Sequence, residues 1–536
     1  MAAPSPARDL LGYVGIFARF PRVLRRFIRN PLTLPEARRL VREQLAQRDQ
    51  SFLRLMETCV FGHPQSPYRP LLEMAGCELG DVRAMVAGKG VDDTLRALRA
   101  AGVYVTFEEF KGRKPIERGG RSYVVAASDF DNPNARRDLT LTTGGSTGQA
   151  NLVYQDLDHV GELAVSEMVG LAEHGALDAP TVHWSHILPG SGVRYLLERV
   201  RHGQLEHRWF SPGGWRDTKA WRKYAAATKY MVWCLRRAGV RIDGPVIVRP
   251  DDALVVAQAV RDAIDRHGRC LVRTPVSLAV RMSLAARAAG FSLEGAVVRV
   301  MSEPLTPAKR QRIEESGARV MAGYGSIETG VMAHGCLNPK HADDVHLLQD
   351  AFALIDHPHT VPGTDTVVRA FNLTGLRASA PKVMLNYQID DHGVVERRRC
   401  GCGFDALGYD VHVHSIRSYT KLVGEGVTLV GNDLLRILEE VLPERFGGTT
   451  LDYQLQEQED EHGLTRLVLA ISPRVHLADE AEVVEFLLQQ LSATSPMADA
   501  AGSVWRRAGT LRVVRREPVL TARTKFQSFH TVRKPQ

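Results

Sequence analysis

Residues Asp138–Asn151 read DLTLTTGGSTGQAN, and the conformation of the chain just beyond them decides between two folds. The centre, GGSTG, fits G-x-S-x-G, the nucleophile elbow of a hydrolase, in which the serine sits on a tight turn between a strand and a helix that begins at once. The same residues fit a loop that holds phosphate. Gly144, Gly145 and Gly148 permit positive φ, so that successive backbone N–H groups turn inward, and Thr142, Thr143, Ser146 and Thr147 add hydroxyl donors. After Gly148 comes QANLVYQ, strand-like at Leu152, Val153 and Tyr154, and helical spacing starts only at Asp156. Strand, Gly/Ser/Thr loop and second strand predict a hairpin tip suited to polyphosphate. It is not the Walker form, because no lysine follows Gly148. A plain solvent-exposed Gly/Ser turn has the same composition.

Upstream of this stretch, residues 35–112 read as a helical lead-in. PEARRLVREQLAQRDQSFLRLMETCVFG and VDDTLRALRAAG keep apolar residues three and four apart, the second stopping at a glycine. Beyond residue 138, short β-branched runs such as GAVVRVMS, ARVMAGYG and DTVVRAFNL alternate with helical stretches such as DALVVAQAVRDAIDRHG. That alternation predicts an α/β core. From Arg417 the pattern becomes strand, helix, strand, helix within the last 120 residues, the size of a small α+β domain.

The 536 residues, 44% hydrophobic and 24% charged, suffice for large buried cores. The net charge of +8 comes from interspersed signs, which suits solubility and argues against a nucleic-acid partner. Seven scattered cysteines make no disulfide framework in so long a chain. No secretory leader and no apolar run of about 18 residues is legible, so a cytoplasmic protein without an integral membrane segment is expected. Leu10–Ile28, LLGYVGIFARFPRVLRRFI, predicts a basic amphipathic helix broken at Pro21. It suits a membrane surface or, more in keeping with such stripes, docking on the protein's own body.

TTGGSTG resembles the phosphate-binding loop of the adenylate-forming enzyme superfamily, and within it the phenylacetate–CoA ligase family, whose loop also lacks the terminal lysine; Asn151 lies in that region. Further motifs come in order. Ser302–Thr306, SEPLT, is similar to the family's GxEPLT segment, and Gly323–Glu328, GYGSIE, resembles YGxTE with Ile327 in the threonine's place. Leu385–Asp391, LNYQIDD, aligns with RYRTxD, and Thr521–Phe526, TARTKF, resembles the C-terminal RTGK segment. The resemblance implies a large multi-layer adenylation domain with its helical lead-in over residues 1–416 and a small mobile α+β domain over 417–536.

It further implies ATP-dependent activation of a small carboxylic acid to an acyl-adenylate, with transfer to coenzyme A; a carrier-protein thiol or an amine is the alternative acceptor. The nucleotide would be held by the loop Thr142–Gly148 and by Glu303, Pro304, Gly323, Tyr324, Gly325 and Arg417. Tyr324 would stack on adenine, Asp391 would accept from the ribose hydroxyls with Asp390 as its competitor, and Glu328 would hold Mg²⁺. Lys525 would be the catalytic cation. The hinge aspartates of the superfamily are replaced by Tyr419 and Thr420, with Lys421 beside them and Gly424–Val427 near the acceptor thiol. A serine hydrolase based on Ser146 lacks a supporting Asp and His motif.

Cys336, His341, His346, Cys400 and Cys402 are residue types that suit tetrahedral Zn²⁺. The family's Cys…His…CxCG order implies a structural zinc held by Cys336, His346, Cys400 and Cys402, with His341 as a rival ligand.

Overall fold

The computed structural model describes residues 6–29, 31–142, 152–204, 206–213, 221–360, 367–418, 421–424, 427–430, 437–449, 452–461, 464–492, 505–506, 508–519 and 528–531. The strand Leu139–Thr142 pairs antiparallel with Leu152–Gln155, Thr142 opposite Leu152, so the chain returns from the Gly/Ser segment as a strand. The helix Leu157–Glu173 starts after it, capped by the Asp156 carboxylate, which accepts from Asp158 N. Residues 143–151, which carry most of the expected phosphate loop and Asn151, lie outside the described residues.

Fourteen strands form the main sheet, and its two halves differ in direction. Thr181–Trp184, Cys270–Pro275, Ala296–Met301 and the first half of Arg319–Ser326 run parallel, joined by crossover helices such as Ala253–His267 and Val276–Ala288. Gly330–Gly335, Val345–Leu347 and Val411–Ser418 continue the sheet antiparallel, followed by Tyr387–Arg397, Val367–Gly375 and Phe352–Thr360. The change of direction falls within Arg319–Ser326. Its end, and the carboxyl ends of two parallel neighbours, open on one crevice, the general location of ligand sites in such sheets.

A second body closes the chain. A four-stranded sheet, ordered Leu511–Arg515, Thr465–Ile471, Tyr453–Glu459, Phe529–Thr531, carries the helix Glu480–Ser492 over a core of its own built on Tyr453, Leu469, Leu487 and Trp505. The molecule is thus an α/β protein with a large sheet-based part and a smaller α+β part. The strand Val411–Ser418 belongs to the large sheet and carries the chain to the junction expected at 416/417.

The N-terminal helix differs from the sequence expectation. Pro6–Arg29 is one helix with Pro21 inside it. Proline removes the hydrogen bond to the carbonyl four residues back, that of Phe17. The Tyr230 hydroxyl donates to that carbonyl at 2.8 Å, so the lost partner is replaced from another helix. Phe20, Leu24 and Phe27 are buried against Leu196, Leu197 and Val200, roughly 2 kcal/mol for each aromatic or leucine side chain covered. The stripe docks on the protein's own body, and no described helix is long and apolar enough to cross a membrane.

Candidate active site

A cavity of about 330 Å³ opens at the crevice. Its wall brings together Glu303 and Pro304 of SEPLT, Gly323, Tyr324, Gly325 and Glu328 of GYGSIE, Asp391 of LNYQIDD, and Arg417 from the strand Val411–Ser418. Residues from distant parts of the chain therefore share one surface. Thr142 is buried beside it in the chain path, donating its backbone N–H to Pro189 O at 3.0 Å. The remaining loop residues and Lys525 lie outside the described residues.

Glu328 sits in the turn Ile327–Thr329 between two antiparallel strands. Ser326 and Thr329 lock that turn reciprocally: Ser326 N donates to Thr329 Oγ1 at 3.1 Å and Thr329 N to Ser326 Oγ at 3.2 Å. Gln155 Nε2, from the strand that returns out of the Gly/Ser loop, donates to Ile327 O at 3.4 Å. Gly325 allows a close approach here, because a Cβ would lie 3.0 Å from Val331 Cα and closer still to Gly330 O. Ile327, in the threonine's usual place, offers its carbonyl rather than a hydroxyl.

Lys111 was not singled out by the sequence. Its ammonium donates to Glu328 Oε1 at 2.5 Å, both side chains being nearly buried at 7% and 12% exposure. Burial alone pushes the Glu328 carboxyl upward, but the Lys111 charge and hydrogen bond hold it down to about 2. Lys111 follows a one-turn helix, Phe107–Phe110, closed by a capping box: Thr106 N donates to Glu109 Oε2 at 2.7 Å and Glu109 N to Thr106 Oγ1 at 3.4 Å. Phe110 stacks on Tyr387 at 4.1 Å between ring centres, which pins the turn to the strand that carries Asp391. The signal was the T-x-x-E box just before the lysine.

Asp391 and Asp390 are neighbours on a strand, so their side chains alternate. Asp391 lines the cavity while Asp390 is 6% exposed and does not. The Tyr324 hydroxyl donates to Asp391 Oδ2 at 2.9 Å, and burial followed by that carboxylate pushes the phenol well above its usual range. Opposite Asp391 in register stands Ser418, and opposite His392 stands Arg417. Arg417 pairs with Asp343 at 3.2 Å, and the same carboxylate accepts from Ser415 N and Ile416 N, each at 2.9 Å. Asp343 also lines the cavity.

Glu303 caps a helix across the crevice. Its carboxylate accepts from Ser277 N at 2.7 Å and from Ser277 Oγ at 2.6 Å, at the first turn of Val276–Ala288. Ser302 beside it has φ 74°, and Asn386 and Ser415 have φ 47° and 55°. These are the positive-φ non-glycine residues among the described residues, and all three adjoin residues of the cavity wall.

Behind the same strands lies a thiol and imidazole cluster. Ligand atoms of Cys336, His346, Cys400 and His412 all fall within 4.8 Å of one another. Cys402 Sγ lies 3.1 Å and Cys400 Sγ 3.5 Å from His346 Nε2. His346 donates Nδ1–H to Tyr409 O at 2.9 Å, which turns its Nε2 lone pair to the sulfurs. His412 Nδ1 is held by Asp344 Oδ1 at 2.7 Å, and its buried Nε2 has no hydrogen-bond partner among the described residues. Oriented imidazoles, clustered thiols and an orphaned nitrogen fit a tetrahedral zinc ion. His341 is not brought to the cluster; it stacks on His414 with ring centres 3.8 Å apart. His412 was missed because H-x-H on a strand carries no ligand spacing.

No family profile matches the sequence, and no curated protein matches it. Solved structures do. A 2-hydroxyisobutyryl-CoA ligase in complex with 2-HIB-AMP and CoA is 15% identical over 91% of this chain and 90% of its own, with a TM-score of 0.52. An o-succinylbenzoate CoA synthetase from Bacillus subtilis, bound to a product analogue, is 12% identical over 77% and 72%, with a TM-score of 0.43. The first of these carries the comparison: the chain shares the fold of that ligase over 91% of its length.

Proposed function

We propose that the chain is an ATP-dependent carboxylate ligase of the phenylacetate–CoA ligase-like type, which makes an acyl-adenylate with release of pyrophosphate and passes the acyl group to coenzyme A. The observation that carries this reading is the convergence of Glu328, Asp391, Tyr324, Glu303 and Arg417 on one cavity at the sheet's change of direction. A carboxylate attacks the α-phosphate of ATP only when the repulsion between two anions is offset by fixed positive groups and donors. Asp391, with Tyr324 donating to it, supplies an oriented acceptor for the ribose hydroxyls. Arg417, clamped by Asp343, supplies a cation at the junction with the small domain.

Magnesium, when bound, would screen the phosphate charges, with Glu328 as the carboxylate to hold it. Glu328 would hold the ion, and Lys111, whose ammonium donates to the same carboxylate, would be a cation within reach of the phosphate oxygens. Lys525 is the cation for the departing charge in the first half-reaction. Rotation of residues 417–536 against 1–416 exposes the adenylate to the thiol. Zinc, when bound, ties the CxC turn to the antiparallel strands through Cys336, His346 and Cys400, with Cys402 or His412 as fourth ligand. A cytoplasmic location suits the reduced thiols and the acceptor.

The serine-hydrolase reading has the local geometry against it, since the Gly/Ser segment runs between paired strands instead of into a helix. Incubation with ATP, Mg²⁺, coenzyme A and a panel of aromatic, aliphatic and amino acids tests the proposal, with products read by mass spectrometry. AMP and an acyl-CoA are expected. Ser146→Ala is expected to weaken ATP use without abolishing it. Ester hydrolysis without ATP, lost in that variant, would sink the reading.

A further inference from the structure

One end of the cavity is walled by guanidinium groups that the adenylation step leaves without a role. Arg194, Arg273 and Arg299 all line it, and all three are at most 2% exposed. They form an alternating chain with two carboxylates set behind the wall. Arg299 pairs with Glu167, Glu167 lies 3.6 Å from Arg273, Arg273 donates to Glu198 at 2.8 Å, and Glu198 lies 3.6 Å from Arg194 Nε. The chain begins and ends on a cation, so three positive charges face two negative ones. His334, which touches Arg299, does not alter the balance, because burial holds its imidazole neutral, down to about 3.

Arg194 is one end of that chain, and its ion pair with Glu198 is longer than those by which Arg273 and Arg299 are held. Its Nη1 donates to the Ile327 carbonyl at 3.3 Å, while its Nε has no hydrogen-bond partner among the described residues. Two hydroxyls of the same wall, Ser185 Oγ and Thr274 Oγ1, are buried and likewise lack partners there. The Tyr195 ring lies between the two cations, its centre 4.4 Å from the Arg273 guanidinium and 5.4 Å from that of Arg194. A wall for a fatty or plain aromatic acid would be apolar, since burying a surplus cation and unmatched hydroxyls opposes folding unless a ligand pairs with them. The Arg194 contact on Ile327, next to Glu328, puts this wall beside the reacting centre and so in the acid's part of the cavity.

We infer that the acid activated by this chain carries a second anionic group, and that Arg194, with Ser185 and Thr274, receives it. The inference rests on the carboxylate-ligase reading and names the class of acid: a dicarboxylate or an acid with an equivalent anionic end. Arg194 is the residue that sets specificity; Arg273 and Glu198 position it.

The test compares acids of equal chain length that end in a methyl group or in a carboxylate. Acid-dependent exchange of labelled pyrophosphate into ATP is measured for the wild type, Arg194→Lys and Arg194→Met, and each acid is also titrated calorimetrically onto the protein without ATP. The wild type is expected to prefer the dicarboxylate by on the order of 10²-fold in kcat/KM, as for truncating one partner of a desolvated charge pair. Arg194→Met is expected to bring the two acids within a few-fold of each other, with Arg194→Lys between. A wild-type preference for the methyl-ended acid overturns the inference and leaves the ligase reading standing, and this comparison needs no variant to fold. Equal loss for both acids in a folded Arg194→Met also overturns it, because the arginine then serves the reacting carboxylate. If no acid supports exchange, the ligase reading falls, and the calorimetric order of the two acids still decides for or against the anionic wall.

Discussion

Glu328 and Lys111 are 217 residues apart in the chain and share one buried ion pair, which makes each the test of the other. Removing the lysine leaves a carboxylate whose burial pushes its pKa upward. Lys111→Met is expected to destabilise the protein by about 3–5 kcal/mol in urea unfolding at neutral pH, and the double variant with Glu328→Gln to recover most of that. The pH dependence has a definite sign. Because the folded pKa is depressed to about 2, the pair's contribution is present above the unfolded value near 4.5 and is lost as pH falls between the two, about 3 kcal/mol in all. In Lys111→Met the sign reverses, and stability relative to wild type rises on acidification. Tyr324→Phe, which deletes the donor to Asp391 and nothing else, is expected to weaken nucleotide binding roughly 5- to 10-fold by calorimetry. Among single residues, the strings GYGSIE and YQIDD pointed to residues that line the cavity, and alignment of the motif favoured Asp391 with Asp390 as its competitor; of the two, the structure puts Asp391 in the cavity wall. The sequence could not expose Lys111, whose partner Glu328 lies 217 residues along the chain.

The strand Val411–Ser418 joins two sites. His412 faces the thiol cluster at one end, Arg417 lines the cavity at the other, and the adjacent carboxylates Asp344 and Asp343 hold one each. Metal analysis of purified protein is expected to find one zinc per chain, and Asp344→Ala, which frees the His412 ring, to weaken zinc retention against a chelator by on the order of 10- to 100-fold. Full retention in that variant would remove His412 from the ligand set. Gly325→Ala is expected to separate two strands, since its Cβ would meet Gly330 and Val331 backbone, and to abolish activity along with a lower melting temperature. Element types were legible where periodicity was strong, as in the hairpin around the Gly/Ser loop. The helix break expected at Pro21 was not found, because its cost is local while its remedy, the Tyr230 hydroxyl, comes from an element 213 residues away.

Across the full chain, the alternation of strands and helices predicted an α/β core, and the resemblance carried by the ordered motifs implied a large and a small part. Composition and periodicity alone could not announce the antiparallel half of the sheet, where Glu328, Asp391 and Arg417 are brought together by register between distant strands. The last part of the chain has a hydrophobic core and a four-stranded sheet of its own, as the proposed rotation requires. Lys525→Ala is accordingly expected to lower the adenylation rate by on the order of 10²- to 10³-fold while leaving transfer from supplied acyl-adenylate far less affected. Whether this fold makes an acyl-adenylate at the Glu328 cavity is decided by exchange of labelled pyrophosphate into ATP, which reads that step alone. Exchange is expected to require both Mg²⁺ and a carboxylic acid and to fall at least 10²-fold, as an order of magnitude, in Glu328→Gln; exchange that persists unchanged in Glu328→Gln, or none with any acid, would refute the assignment.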